Sequence, residues 1–226
     1  MNTEALEAFQ ERLGYAFKDR NLLKSALTHA SAGIAHNYER LEFLGDRVVG
    51  LVLAHWLYEV FPGEEEGDLA KRHAALVQGK TLAQIARGLN LGAAIKLSES
   101  ERASGGSGND NILADSLEAV IGALYLDGEF VVCRDTVRAL WGDLVHVLDK
   151  PPQDPKTALQ EWAQARGLPL PVYELSHRAG PDHAPVFEIK AIVEGYPPFA
   201  AAGPSRRAAE KDAAARLLAH LCGCES

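Results

Sequence analysis

Two pairs of acidic residues stand in segments that otherwise have the apolar spacing of buried helices. In "NYERLEFLGDRVVG", Glu42 and Asp46 are four residues apart, and in "NILADSLEAVIGALYLDG", Asp115 and Glu118 are three apart. Side chains at these spacings share one face of an α-helix. Burying an ionised carboxylate without a partner costs several kcal/mol, so four carboxylates that converge need compensating cations.

A divalent metal ion is the compensation that this pattern favours, because the nearby sequence offers no matching set of lysines. All-oxygen ligation suits Mg²⁺ or Mn²⁺ better than zinc. Carboxylate-bound Mg²⁺ keeps several waters, and one of them can be activated against a phosphodiester. The two pairs therefore predict a phosphoryl-transfer site. A solvated acidic edge is the alternative explanation for a single Glu-x-x-x-Asp, and the second pair argues against it.

The segments that must position these residues are helical in pattern as far as "CRDTVRALWGDLVHVL". Apolar residues recur there at three and four spacing, and Gly63, Gly92 and Gly128 stand where helices are expected to end. The stretch "DKPPQDPKT" ends this region, because its three prolines do not fit a helix interior.

The pattern changes after the prolines. One helical segment, "DPKTALQEWAQARG", is followed by alternating segments, "PVYELSHRAG" and "VFEIKAIVEG", and by a last helical segment, "SRRAAEKDAAARLLAHL". The sequence predicts an α+β multidomain fold. We expect an all-α domain over residues 1–149, a linker over 150–153 and a small α-β-β-β-α domain over 154–223.

Composition limits the classes of function. The chain has 226 residues, 47% of them hydrophobic, and a net charge of −8. Residues 1–150 hold 22 acidic and 15 basic groups, and residues 151–226 hold 9 and 8, so the acidity lies in the first part. The longest apolar run, "VVGLVLAHWLY", is about half of the roughly 20 residues that span a bilayer, and no secretory signal precedes it. We expect a cytoplasmic protein that does not contact membranes.

Long blocks of the sequence are similar to one known family. "NYERLEFLGDRVV" resembles the signature of the ribonuclease III family, and "ILADSLEAVIGALYLDG" resembles its second acidic motif. Residues 154–221 resemble the double-stranded-RNA-binding domain that follows in the bacterial enzymes. The resemblance implies a Mg²⁺-dependent endoribonuclease that hydrolyses double-stranded RNA to 5′-phosphate and 3′-hydroxyl ends. It also implies processing of ribosomal RNA precursors and structured mRNAs.

The resemblance assigns a role to each carboxylate of the two pairs. Glu42, Asp115 and Glu118 match the family's Mg²⁺ ligands, with Mn²⁺ as a substitute. Asp46 and Glu118 match the residues usually described as catalytic.

Two further acidic residues match positions near the family's site. Glu39 is expected to support the cluster, through a pair with Arg40 or Arg47. Glu66 matches an acidic residue near the scissile strand, but it stands in a run of three glutamates, for which a solvated loop is an equal explanation.

The second domain is expected to bind duplex RNA by shape. A-form RNA hides its base edges, so proteins contact 2′-hydroxyls in the shallow groove and the phosphates beyond it. The side chains predicted to meet 2′-hydroxyls lie on the first helix, at Thr157, Gln160, Glu161 and Gln164. A turn between strands presents His183 to the next minor groove. The residues predicted to bind phosphate begin the last helix, at Ser205, Arg206, Arg207 and Lys211.

Two features depart from the family pattern. The loop "GGSGNDN" before the second acidic motif has no basic residue, which weakens any assignment of RNA contact to it. Glu210 stands where related RNA-binding domains often have a third lysine, so we expect modest phosphate affinity that depends strongly on salt.

A homodimer is also expected. One chain supplies one acidic cluster, whereas cutting a duplex requires hydrolysis on two antiparallel strands, and a two-fold axis would match the RNA. The resemblance places an aromatic such as Phe43 in a socket of the partner subunit. The alternative is that Phe43 packs within its own domain.

Two other classes of function remain as alternatives. One is a duplex-RNA-binding protein with a vestigial acidic cluster, but all four carboxylates are present. The other is a helical metal-dependent hydrolase of nucleotides, which does not explain residues 154–221.

Overall fold

The computed structural model describes residues 3–146, 154–181 and 185–223. The chain divides into two units, Met1–Pro152 (unit 1) and Gln153–Ser226 (unit 2). The predicted linker over residues 150–153 lies outside the described residues. Within the described ranges, no helix has both the length and the apolar character needed to cross a membrane.

Unit 1 is built from helices, and the prediction of an all-α domain is confirmed for its described residues. The α-helices are α1 (Thr3–Leu13), α2 (Arg20–Ala26), α3 (Glu39–Val60), α4 (Glu66–Val77), α5 (Gly79–Gly88), α6 (Leu91–Ala94), α7 (Glu99–Ala103) and α8 (Asp110–Trp141). Short 3₁₀ helices occupy Ala30–Ala32, Gly106–Gly108 and Gly142–Val145.

The core of unit 1 is centred on the contact between α3 and α8. Helix α3 buries one apolar stripe, at Val48, Val49, Val52, Leu53 and Leu57. Helix α8 buries residues on several sides because α2, α3 and α5 all pack against it. Its fully buried side chains include Leu113, Leu117, Val120, Ile121 and Leu124. The two helices with the acidic pairs are therefore the two that the core holds most firmly.

One of the three glycines expected to end helices has another role. Gly92 lies inside α6, where a Cβ would be 2.1 Å from the carbonyl oxygen of Ser107, so it allows a close approach of backbone. Gly128 is the last residue before α8 breaks at Glu129, whose φ of 63° and ψ of 171° are not helical, so a helical segment ends there as predicted. Gly63, which follows α3, is also near a helix end as predicted.

Unit 2 has the predicted α-β-β-β-α order. Its elements are α9 (Pro155–Gln164), β1 (Val172–Ala179), β2 (Val186–Ile192), β3 (Phe199–Gly203) and α10 (Arg206–Gly223). The strands form one antiparallel sheet in the order β1-β2-β3, with a shift of register between Leu175 and His177 on β1. Both helices pack on one face of this sheet, over a core formed by Leu159, Ala163, Ala191, Ala214 and Leu217.

Candidate metal centre and nucleic-acid interface

Helices α3 and α8 touch through two glycines. A Cβ built on Gly45 would lie 1.8 Å from the carbonyl oxygen of Glu118, and one on Gly122 would lie 2.2 Å from the carbonyl oxygen of Leu41. Real side chains do not tolerate such distances, so the two helices can cross this closely only where both residues are glycine. The crossing brings Glu42, one turn before Gly45, to the same place as Glu118. Sequence reasoning missed this pair, although a glycine inside an apolar helical run is a signal of close packing.

Three carboxylates converge at the crossing. Glu42 on α3 and Asp115 and Glu118 on α8 each offer an oxygen, and these oxygens lie within 4.8 Å of one another. Each side chain is partly buried. Oxygens that share one Mg²⁺ ion lie roughly 3 to 4 Å apart, because each is about 2.1 Å from the ion. A small contraction would therefore fit these carboxylates to a hard divalent cation.

The crowding of negative charge changes how these groups ionise. Burial raises the pKa of Glu118 to about 7, and the charges of Asp115 and Glu42 add to the rise, while Arg47 opposes it. Burial also raises the pKa of Glu42, with help from Asp115 and Glu39, and it raises the pKa of Asp115. The cluster thus lacks the charge compensation that a bound cation would supply, and metal binding must release protons.

Tyr38 and His29 lie beside the cluster, and sequence reasoning missed both. Their rings stack with centroids 5.3 Å apart. Burial, together with the charges of the nearby carboxylates, raises the pKa of Tyr38 to about 12. The Tyr38 backbone N–H donates to the carbonyl of Thr28 at 2.9 Å, and that of His29 donates to the carbonyl of Lys96 at 3.0 Å. These bonds fix the start of α3 and therefore the position of its first acidic turn.

Asp46 does not join the three carboxylates. Its side chain is 46% exposed and forms a close ion pair with Arg47, whose guanidinium also lies 5.5 Å from the ring centroid of Phe43. Helical spacing correctly places Asp46 one turn after Glu42, but the approach of α8 decides which carboxylates meet. The suggested pair of Glu39 with Arg40 or Arg47 is not found among the described residues: Glu39 contacts Asn37, and Arg47 pairs with Asp46.

The supporting acidic residues have different surroundings. Glu39 accepts a hydrogen bond from the Asn37 amide at 3.0 Å and contributes to the raised pKa of Glu42. Glu66 is exposed at the first position of α4. In the same run of glutamates, Glu64 accepts two hydrogen bonds, of 2.7 and 2.6 Å, from the buried guanidinium of Arg72.

Phe43 projects from the surface of unit 1. Its side chain is 68% exposed, which is unusual for a phenylalanine on a core helix. It borders a groove of about 890 Å³ whose apolar lining includes Leu22, Leu41, Leu44 and Leu126. A projecting aromatic beside an apolar groove is typical of a surface that a partner covers.

The polar residues predicted to meet RNA on α9 share one exposed surface. They are Thr157, Gln160, Glu161 and Gln164. His183, the other residue predicted to enter a minor groove, lies outside the described residues.

The start of α10 carries a basic cavity of about 510 Å³. Its lining consists of four basic and two acidic residues: Lys156, Arg206, Arg207, Lys211, Asp154 and Glu210. Ser205 accepts a hydrogen bond from the Ala208 N–H at 3.2 Å and so caps the helix. The N-terminus of α10 and the excess of cations suit a phosphate. Sequence reasoning missed Lys156, which comes from α9.

Glu210 balances part of this positive charge. Its carboxylate accepts from the Lys156 ammonium at 2.6 Å and from the Arg206 guanidinium at 2.9 Å. These bonds hold the pKa of Glu210 below its usual range, and its side chain is only 14% exposed. Lys211 lies 3.5 Å from Asp154. The cavity thus keeps a net charge of two positive units from four cations and two carboxylates.

Comparisons with known proteins agree with both units. Residues 19–143 match a family model described as ribonuclease-III-like, and residues 155–221 match the double-stranded RNA binding motif. Ribonuclease 3 of Dinoroseobacter shibae is 48% identical over 222 residues, which cover 97% of this chain and 96% of the relative. Ribonuclease 3 of Rhodobacter capsulatus is 49% identical over 218 residues, 96% of either chain. The solved structure of the ribonuclease III nuclease domain of Campylobacter jejuni is 46% identical in sequence, with a TM-score of 0.59, and the match covers 60% of this chain and 94% of that one. That structure is described by its flexibility in a region involved in dimer formation.

Proposed function

Because the chain belongs to the ribonuclease III family, it is an endoribonuclease that acts on double-stranded RNA, and we propose that Glu42, Asp115 and Glu118 hold its metal, Mg²⁺. The observation that carries this proposal is the convergence of three carboxylate oxygens within 4.8 Å of one another. Hard divalent cations prefer such oxygen ligands, and Mn²⁺ would serve as a substitute.

The reaction is hydrolysis of a phosphodiester bond to a 5′-phosphate and a 3′-hydroxyl. When bound, the metal supplies an activated water and stabilises negative charge on the phosphodiester. The chain holds the ligands in place through the glycine-mediated crossing of α3 and α8. Glu118 would release its carboxyl proton to solvent when a metal ion binds. Asp46 acts with Glu118 as the second catalytic carboxylate. Glu39 supports the cluster, and Glu66 lies toward the scissile strand.

Unit 2 supplies most of the binding energy for the duplex. The exposed polar side chains of α9 meet 2′-hydroxyls in one minor groove, His183 is assigned to the next groove from the sequence alone, and the cavity at α10 meets the phosphates between the grooves. Such contacts read the A-form shape and not the base sequence. As the resemblance to the family implies, we also propose that its substrates are structured transcripts in the cytoplasm, including ribosomal RNA precursors and structured mRNAs.

A homodimer is the proposed working state. Two chains would bring two acidic clusters to the two strands of a duplex, and a two-fold axis suits both. The exposed Phe43 and the apolar groove beside it support this proposal. The region involved in dimer formation of the Campylobacter jejuni nuclease domain supports it as well.

Cleavage and binding assays on Glu118→Ala test the assignment of the metal centre. The wild type should cut labelled duplex RNA, but not single-stranded RNA, only when Mg²⁺ is present. Glu118→Ala should lose cleavage and keep duplex affinity in a gel shift, whereas Glu7→Ala, which removes an exposed carboxylate from α1, should behave as the wild type. If Glu118→Ala lost both cleavage and duplex binding, Glu118 would have a role in the fold and not in the metal centre.

Sedimentation tests the dimer. Phe43→Glu should give a folded monomer, because truncating a buried interface aromatic costs about 2 kcal/mol or more and a buried charge costs further. Circular dichroism verifies the fold. A wild-type monomer with full double-strand cleavage would end this proposal.

A further inference from the structure

We propose that Arg47 is a phosphate-contacting residue of the nuclease site: it pairs with Asp46 in the RNA-free protein and exchanges that carboxylate for a phosphodiester oxygen of the bound strand. The exchange releases Asp46 toward the metal-binding cluster. This inference rests on the proposed function, since it requires that RNA strands reach the carboxylates of α3 and α8.

The first observation is the position of Arg47. Its side chain is 67% exposed, so its donors are available to a ligand from solvent. Its charge also acts on Glu118, whose pKa it lowers against the effect of burial. Arg47 is therefore accessible, and its ion pair with Asp46 places it beside one of the two acidic pairs.

The second observation is the state of Asp46. Among the four carboxylates of the two acidic pairs, three converge, and Asp46, which forms an ion pair with Arg47, does not join them. An exposed ion pair of this kind contributes only about 0 to 1 kcal/mol, so a competing anion can displace it. The carboxylate that the proposed reaction needs is thus held by a bond that is easily exchanged.

The third observation is the local balance of charge. Three carboxylates converge at the site, at Glu42, Asp115 and Glu118, and the helix that carries Glu42 also carries Glu39 and Asp46. An RNA strand approaching them is repelled unless cations intervene. A guanidinium offers several N–H donors in a planar fork that matches a phosphate as well as a carboxylate. The Phe43 ring, 5.5 Å from the guanidinium carbon, keeps Arg47 on the side of α3 that also carries the proposed dimer contact.

Kinetics and metal binding of Arg47→Ala and Arg47→Lys test the proposal. Arg47→Ala should raise KM for a short duplex about three- to tenfold, as expected for the net contribution of one hydrogen bond that replaces an existing ion pair, and should reduce the salt slope of log KM by about one. Without RNA, the Mg²⁺ concentration that half-saturates the rise in melting temperature should fall about twofold, because a nearby positive charge has gone. The KM of Arg47→Lys should lie between the KM of the wild type and that of Arg47→Ala.

Arg134→Ala is the matched control, because Arg134 pairs with its neighbour Asp135 at 2.7 Å on the distal part of α8. It should leave KM, the salt slope and the Mg²⁺ midpoint unchanged. An unchanged KM in Arg47→Ala would overturn the proposal, and a higher Mg²⁺ midpoint would mean that Arg47 supports the metal centre instead. If Arg47→Ala does not fold, Arg47→Gln replaces it, because this variant also removes the positive charge; an unchanged KM in Arg47→Gln together with a wild-type salt slope would overturn the proposal. Failure of the wild type to cleave duplex RNA with Mg²⁺ would instead contradict the proposed function.

Discussion

Glu118 in unit 1 and Glu210 in unit 2 are both glutamates that lie largely out of solvent among charged side chains. Burial and two neighbouring carboxylates raise the pKa of Glu118 to about 7. Hydrogen bonds from Lys156 and Arg206 hold the pKa of Glu210 below its usual range. The negative charge of Glu118 in unit 1 therefore stands among other negative charges, whereas the negative charge of Glu210 in unit 2 has two cations as direct partners.

The difference shows how each unit is prepared for its ligand. The carboxylates at the α3–α8 crossing lack internal cations, so the binding of an external cation relieves their repulsion. The cations at α10 already have two carboxylates as partners, so an external phosphate meets only the charge that remains. We expect cleavage by unit 1 to depend steeply on metal concentration and pH, and duplex binding by unit 2 to depend gradually on salt concentration.

Gly45→Ala should have the largest effect on this contrast, because it disrupts the helix crossing that creates the acidic cluster. The new Cβ would lie 1.8 Å from the carbonyl oxygen of Glu118, so α3 and α8 must separate. We expect a loss of about 3 kcal/mol or more in the free energy of unfolding, at the upper end of overpacking effects, and loss of cleavage. Urea unfolding measures it. Gly88→Ala on α5, where nothing lies within 4 Å, is the control and should be neutral or slightly stabilising.

The pH dependence of stability should sharpen the contrast in pKa. Without metal, the folded protein keeps a proton on Glu118 between its ordinary pKa of 4.5 and about 7, whereas the unfolded chain has released it. The stabilisation is therefore present below pH 4.5 and is lost as the pH rises through 7, by roughly 1 to 2 kcal/mol because solvent screens this partly exposed group.

Urea unfolding in EDTA from pH 4.5 to 8 measures this loss, with Glu118→Gln as the comparison. The variant cannot ionise at this position, so its stability should depend less on pH. Saturating Mg²⁺ should restore the wild type above pH 7, because the metal binds the ionised form. Parallel pH profiles for the two proteins without metal would contradict the raised pKa.

Removing cations from unit 2 should give a smaller and graded effect. Arg206→Ala together with Arg207→Ala should weaken binding to all duplexes about equally and flatten the plot of log K against log salt. The slope should become shallower by at most about one unit for each phosphate contact that is lost. Gel shifts at several salt concentrations on duplexes of unrelated sequence measure this. Weakening that is confined to some sequences would contradict the assignment to phosphate.

Glu210→Gln should produce the smallest change, in the opposite direction. The substitution frees Lys156 and Arg206 from their shared carboxylate, and both are exposed enough to become solvated. We expect duplex affinity at low salt to rise a few fold, with a salt slope steeper by about one. Lower affinity would instead show that Glu210 orients the two cations for the phosphate.

Local pattern was sufficient to predict the division of the fold into two parts, although it identified no segment of its own for β3. Helical spacing and the prolines after residue 149 separate an all-α region from the α-β-β-β-α order that the structure has. Gly92 was misread because a glycine that admits the Ser107 carbonyl looks, in sequence, like one that ends a helix.

The site could be predicted only in part, because its geometry depends on contacts between distant segments. Spacing identified all four carboxylates, but the exclusion of Asp46 follows from where α8 crosses α3. Lys156 was missed because its partner Glu210 is 54 residues away in sequence. Roles assigned to His183 and to the linker over residues 150–153 lie outside the described residues and stay predictions.

The break of α8 at Glu129 bears on how the chain opens locally. Residues before the break are buried against α3 and α5, whereas those after it are held by fewer anchors, such as the Trp141 indole, which donates to the Leu76 carbonyl at 3.1 Å. An interrupted hydrogen-bond ladder lets one half fray without the other. In native-state hydrogen exchange, amides of residues 130–141 should exchange through local opening. Amides around Glu118 should exchange only with global unfolding, which would place the carboxylates of α8 in the slowest cooperative unit of the molecule.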